Sequence, residues 1–166
     1  MLRSLYSAQD NLCWADAEET ILQLVDFGYA STVNEQSNFA GSPHYAAPEV
    51  HLVNRDFEED EERPVHLAAG ADLWSAGVCL FAMLATQLPF GGDEDTEEEQ
   101  AALRAKVCSG VWDVQPSGVS ESAIDLLTRI LTVDPDERCT LDDVCEHDWI
   151  GGVDNIPWQA LPPGRE

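Results

Sequence analysis

The run Leu73–Ala85, LWSAGVCLFAMLA, constrains the fold more than any other part of this 166-residue chain. Its apolar residues would point to nearly every side of a helix, not to one stripe. A chain in water tolerates such a helix only where other elements surround it. The run falls short of the roughly 18 apolar residues that a membrane span needs, and it opens beside Asp72. A helix over 72–85 is therefore expected in the middle of a domain. A chain of this length typically buries about 70% of its unfolded surface, and 44% of its residues are hydrophobic, so a core around that helix can be built.

The flanking sequence supplies the surrounding elements. Ile21–Val25 is a short aliphatic run leading into Asp26-Phe27-Gly28, which predicts a strand and then a turn. Residues 29–45 are polar and punctuated by Gly41 and Pro43, and they read as a long loop; loops of that length are usually functional or disordered. A short helix can follow Pro48. Thr96–Cys108 predicts another, with Glu97, Glu98 and Glu99 against its N-terminal dipole. Ser120 is a good N-cap for Glu121–Thr132, where Ala123, Ile124, Leu127, Ile130 and Leu131 form one apolar stripe. Thr140 and Asp143 resemble a capping box for a last helix ending near His147. The Pro- and Gly-rich tail 151–166 is expected to be loosely attached. The content is thus mainly helical after one early strand.

Net charge is −24, with one lysine, Lys106, in the whole chain. Nucleic-acid backbones and anionic membranes would be repelled, and basic proteins or peptides are the partners this charge favours. Two acidic runs, Asp56–Glu62 and Asp93–Glu99, read as solvated loops. The second lacks the glycine turn and ligand spacing of a calcium loop. Five cysteines without a C-x-x-C pair, and no apolar signal core in Met1–Asp10, favour reduced thiols in the cytoplasm or nucleus. The four scattered histidines do not compose a zinc site.

Four motifs occur in a fixed order: Leu24-Val25-Asp26-Phe27-Gly28; Gly41-Ser42-Pro43-His44-Tyr45-Ala46-Ala47-Pro48-Glu49; Asp72-Leu73-Trp74-Ser75-Ala76-Gly77-Val78; and Asp134-Pro135-Asp136-Glu137-Arg138 followed by His147-Asp148-Trp149. Together they resemble the C-terminal lobe of a protein kinase. Gly-Ser-Pro before Ala-Pro-Glu is similar to the serine/threonine type, and Leu88-Pro89-Phe90 with His147-Asp148-Trp149 is similar to the calcium/calmodulin-dependent and AMP-activated-like group. The resemblance implies a mainly α, truncated kinase-like C-terminal lobe over 11–150, with the β-rich nucleotide lobe and the first C-lobe helices absent. Residues 1–10 do not match the family, and 151–166 form the tail.

By the same resemblance, Asp26 would hold Mg²⁺ against ATP phosphates, because a hard cation takes carboxylate oxygen. Asn11 stands at the spacing of the second Mg²⁺ ligand, or is a simple Asx cap. Gly41, Ser42, Pro43 and Tyr45 would form the floor receiving the residue after the phosphorylated one. Glu49 and Arg138 would make a buried ion pair, and Asp72 would cap amides of the catalytic loop. Ser31, Thr32 and Ser37 fall in the activation-loop interval, as phosphorylation sites or as plain loop hydroxyls. His147 and Trp149 read as helix-end packing groups.

The chain also departs from the family. No Gly-rich phosphate loop precedes a strand lysine; Gly91-Gly92 lies after the motifs and reads as a turn. Counting back from Asn11 puts Tyr6 at the catalytic aspartate, Ala8 at the catalytic-loop lysine and Leu5 at the phosphate-pairing arginine. A phenol titrating near pH 10 is a poor proton acceptor beside a carboxylate. The expectation is a piece of a serine/threonine kinase, inactive as this chain alone and not binding Mg-ATP tightly. The alternative is a pseudokinase-like binding or scaffold module. The helix opening at Asp72 should keep an uncovered apolar side, so that the isolated chain self-associates or docks on an intact kinase.

Overall fold

The long helix α2 (Val65–Ala85) runs through the core. The computed structural model describes residues 11–14, 22–27, 42–56, 65–91, 95–113 and 115–151. Trp74, Val78 and Phe81 of α2 are fully buried. Around it pack α1 (Pro48–Asp56), α4 (Glu121–Ile130) and a 3-10 turn at Pro43–Tyr45, while α3 (Glu97–Ser109) leans on α1 and that turn. A short α5 (Leu141–Cys145) closes the described chain. The helix α2 starts earlier than Asp72, because the Ala-rich turn before it favours helix.

The early strand is a hairpin, not a single strand. Leu12–Trp14 (β1) pairs antiparallel with Leu22–Leu24 (β2), in the register Leu12↔Leu24, Cys13↔Gln23 and Trp14↔Leu22. Three residues are too few to show alternation, so β1 leaves no periodic signal in the sequence.

Caps set the helix ends where the side chains allow. Thr96 Oγ1 accepts from Glu99 N, and the Glu99 carboxylate accepts from Thr96 N at 2.9 Å, completing a capping box. Thr140 and Asp143 repeat it on α5, and Ser120 accepts from Ala123 N on α4. The second acidic run is therefore not all loop: Glu97, Glu98 and Glu99 form the first turn of α3, where the dipole favours them. At its other end Gly110, at φ 65°, makes the left-handed C-cap that glycine adopts without strain.

The core is aromatic at two points. Trp74 stacks on Phe90 at 5.7 Å, and Phe81 meets Trp112 edge-on at 5.0 Å. The face of α2 bearing Ala69, Leu73, Ala76, Leu80 and Met83 is only partly covered: Ala69, Ala76 and Met83 are exposed, and Leu73 and Leu80 are half-buried. Among the described residues, no helix is long and apolar enough to cross a membrane.

The contact between α2 and α4 depends on Gly77. A Cβ there would overlap Ile130 Cγ2 and lie 3.1 Å from Leu131 Cδ2. Gly77→Ala should lower the unfolding free energy by about 1–3 kcal/mol, the usual cost of overpacking a filled core. Urea denaturation with an unchanged m-value checks it, and wild-type stability in the variant refutes the close packing.

Candidate functional site

The 3-10 turn Pro43–Tyr45 has almost no support of its own. Ser42 makes no side-chain cap bond, and the turn's backbone bonds are long: Tyr45 N to Ser42 O at 3.2 Å and Ala46 N to Pro43 O at 3.3 Å. It is held from two helices instead. His51 Nε2 of α1 lies 3.0 Å from Pro43 O, and Ser75 Oγ of α2 donates to Tyr45 O at 2.8 Å. Pro43 fixes its own φ, and Tyr45, Ala46 and Ala47 are buried beneath the turn. The result is a short backbone platform clamped to the helical core.

One arginine locks that platform's downstream end. Arg138 pairs bidentately with Glu49, Nη1 donating to Oε1 at 2.7 Å and Nη2 to Oε2 at 2.9 Å. Its remaining donors reach Thr132 O, Gly70 O and Val133 O at 2.9, 2.8 and 3.3 Å. The guanidinium also stacks over Trp74 at 5.0 Å. The side chains of Arg138 and Glu49 are 1% and 13% exposed, so little solvent screens the pair.

The hairpin positions Asn11 and Asp26. Val25 N donates to Asn11 O at 2.8 Å, continuing the ladder by one pair beyond Leu12↔Leu24 and leaving Asp26 as the next residue. Asp26 is exposed and adopts φ 61°, a left-handed conformation that aspartate tolerates better than most residues and that clusters at functional sites. An amide and a carboxylate oxygen are the donor types that a hard cation takes. Asp72 is exposed by area, yet partial burial pushes its carboxyl above the usual range. Among the described residues, no group of three or more metal-ligating side chains occurs. Leu5, Tyr6, Ala8, Ser31, Thr32, Ser37 and Gly41 lie outside the described residues.

Other readings resolve differently. Lys106 Nζ is occupied by Gly91 O and Asp113 Oδ2, both at 2.7 Å. His147 Nε2 bonds Asp125 Oδ2 at 2.9 Å and its Nδ1 accepts from Trp149 N, a packing role at the end of α5. That hydrogen bond, with Arg129 behind it, holds the Asp125 carboxyl below the usual range. These residues line an open acidic hollow of about 560 Å³ against α4 and α5, apart from the platform and the hairpin.

From sequence, Ser75 stands only as a member of the third motif with no role of its own, and His51 is not singled out. Ser75 had a signal, a hydroxyl inside an otherwise apolar helix. For His51 the signal was weaker, a histidine one turn into α1 beside the platform.

The protein kinase domain family matches residues 9–150. The chain is 35% identical over 141 residues to the mitosis inducer protein kinase cdr1 of Schizosaccharomyces pombe, covering 83% of this chain and 21% of that protein. It is 34% identical over 148 residues to the ribosomal protein S6 kinase alpha-1 of Rattus norvegicus, covering 84% and 18%. With the serine/threonine-protein kinase PEPKR2 of Arabidopsis thaliana it shares 39% over 134 residues, covering 78% and 25%. The chain thus spans a quarter or less of the length of these relatives.

Two expected outcomes follow from this geometry. Glu49→Ala should cost about 3–5 kcal/mol of stability by stranding a buried Arg138, and Glu49→Ala with Arg138→Leu should recover part of it. Chemical denaturation of the two variants checks this, and a loss below about 1 kcal/mol in the single variant contradicts it. Burial, and then the charges of Arg104 and His44, hold the His51 pKa below its ordinary 6.5, against the opposing bond to Pro43. The unfolded chain then takes up this proton first, so stability should fall as pH drops below about 6.5, until the folded ring protonates too. A thermal midpoint whose decline in that window is unchanged by His51→Gln contradicts the assignment.

Proposed function

We propose a role whose premise is family membership: this chain belongs to the protein kinase family, of serine/threonine type. Its residues serve as the substrate-side, C-terminal lobe for ATP-dependent phosphoryl transfer to protein serine or threonine. The observation carrying this reading is the clamped turn Pro43–Tyr45, tied to α2 through Ser75 and sealed by Glu49–Arg138. Ser42, Pro43 and Tyr45 form the floor on which a peptide lies, and Ser31, Thr32 and Ser37 are regulatory acceptors in the loop that leads to it. Leu88-Pro89-Phe90 and His147-Asp148-Trp149 favour the calcium/calmodulin-dependent or AMP-activated-like group.

Asp26 and Asn11 would hold Mg²⁺, whose role when bound is to neutralise charge on the nucleotide phosphates. By the family resemblance, Asp72 would cap amides of the catalytic loop. By the family's spacing counted back from Asn11, Tyr6 takes the sequence position of the catalytic aspartate, and a phenol is a poor proton acceptor beside a carboxylate. The chain also lacks a free lysine for the phosphates, since Lys106 is engaged in α3. Binding of a basic peptide is therefore retained while transfer is not. The odd number of cysteines, with no C-x-x-C pair, favours reduced thiols in the cytoplasm or nucleus.

A second reading, a binding or scaffold module, draws on exposed apolar side chains. Leu22, Leu24 and Phe27 of the hairpin region and Met83 of α2 are more than half exposed, and such surface favours self-association or an intact kinase as partner.

The purified chain with Mg-ATP and a basic serine peptide should show peptide binding that weakens with salt, and no phosphate incorporation above a blank. Incorporation would overturn the inactive assignment. Absence of peptide binding at low salt would overturn the substrate-lobe reading, and a monodisperse monomer in sedimentation would count against self-association.

A further inference from the structure

Both ring nitrogens of His147 are engaged, and their partners fix where its proton sits. Trp149 N donates to Nδ1 at 3.2 Å. A backbone amide can only donate, so Nδ1 presents its lone pair there. The ring proton therefore lies on Nε2, which donates to Asp125 Oδ2 at 2.9 Å. The side chain is 9% exposed, so water has little access to either bond.

The ring stands two residues past the end of α5, and Asp125 reaches it from α4. It thereby ties the last described turn to the helical core. Ile150 N and Gly151 N donate to His147 O at 2.9 and 3.3 Å, and the side chains of Trp149 and Ile150 pack half-buried against the core. Among the described residues, the charged groups that share the ring's hollow are Glu121, Asp125 and Arg129 of α4, Asp143 and Glu146 at α5, and Asp148. The bond to the ring, with Arg129 behind it, holds the Asp125 carboxyl below the usual range, so it stays an acceptor while an imidazole titrates.

A second proton has one place to go. Taken from solvent, it forms an N–H bond at Nδ1 and leaves two donors facing each other, Nδ1 and Trp149 N. We propose that His147 is a proton-operated latch: the neutral ring joins the turn at 149–151 to α4, and the cationic ring keeps Asp125 but releases the Trp149 amide. The charge strengthens the Nε2 bond, so the ring stays in place and only its second partner is lost. The turn that seats Trp149 and Ile150 on the core then loosens locally, while α4 keeps its packing. The floor at Pro43–Tyr45 is held from α1 and α2, so the latch does not rest on the reading of that turn.

Imidazole nitrogen NMR of the full chain, with amide hydrogen exchange followed from about pH 8 to about pH 5, tests the latch across the interval in which imidazoles titrate. At the upper end the ring should show the Nε2–H tautomer. As Nδ1 gains its proton, protection of the Trp149 amide should fall about tenfold, the size of one lost hydrogen bond. Protection of the Leu127 amide in α4 should stay constant, which separates the latch from general unfolding in acid. His147→Asn puts an amide oxygen where Nδ1 stands and does not titrate, so Trp149 protection should persist across the interval. Asp125→Asn keeps an acceptor for Nε2 and serves if the first variant does not fold: the loss of protection should follow the imidazole midpoint wherever it then falls. An Nδ1–H tautomer at the upper end, Trp149 protection that ignores the charge on the ring, or an equal fall in His147→Asn overturns the proposal.

Discussion

Arg138 uses each of its five N–H donors inside the protein, two on the Glu49 carboxylate and three on carbonyls of residues 132, 70 and 133. Those acceptors belong to the first turn of α1, to α2 and to the segment just after α4. A planar fork has fixed angles between its donors, so satisfying all of them fixes the mutual placement of three elements. Lysine, a point charge with three donors, would neutralise Glu49 without that geometry. A buried ion pair is weak evidence of net stability, because desolvating both charges opposes their attraction. Its contribution here is orientation. The end of the floor meets the central helix at one angle, and Trp74 beneath the guanidinium holds the fork in plane.

The floor inherits its order from that junction. A turn of three residues with no side-chain cap is not stable alone, and its backbone bonds are at the long end of the usual range. Bonds from His51 and Ser75 to two of its carbonyls transfer the rigidity of α1 and α2 to a segment that has none. A backbone held from two helices in this way takes its shape from them and not from the turn's own bonds.

The elements legible in sequence are those whose signal is local. The all-round apolar run made α2 readable, the stripe Ala123–Leu131 made α4 readable, and Thr96, Ser120 and Thr140 marked their helix starts within a residue. The Glu49–Arg138 contact spans 89 positions and was accessible only through motif resemblance, since neither residue's neighbours announce a partner. His51 and Ser75 were not legible as clamps because their acceptors are backbone carbonyls, which every residue carries. The strand β1 was lost for want of length, and the first turns of α2 because alanine favours helix without marking where it begins.

The hairpin that carries Asn11 and Asp26 is anchored far less firmly than the floor. Two short strands make a ribbon that is at best marginally stable in isolation. Among its described apolar residues, Leu12 packs against the core, whereas Leu22 and Leu24 are 54% and 56% exposed. Asp26 also holds a left-handed backbone, which persists only where surrounding structure enforces it. Phosphoryl transfer depends on placing its charges to within a fraction of an ångström, and misplacement by about 1 Å can cost about 100-fold in rate. A ribbon covered on one side supplies little of that precision by itself. The described hairpin therefore owes less of its order to packing than the floor does, since the floor is bonded from two helices and sealed by Glu49–Arg138.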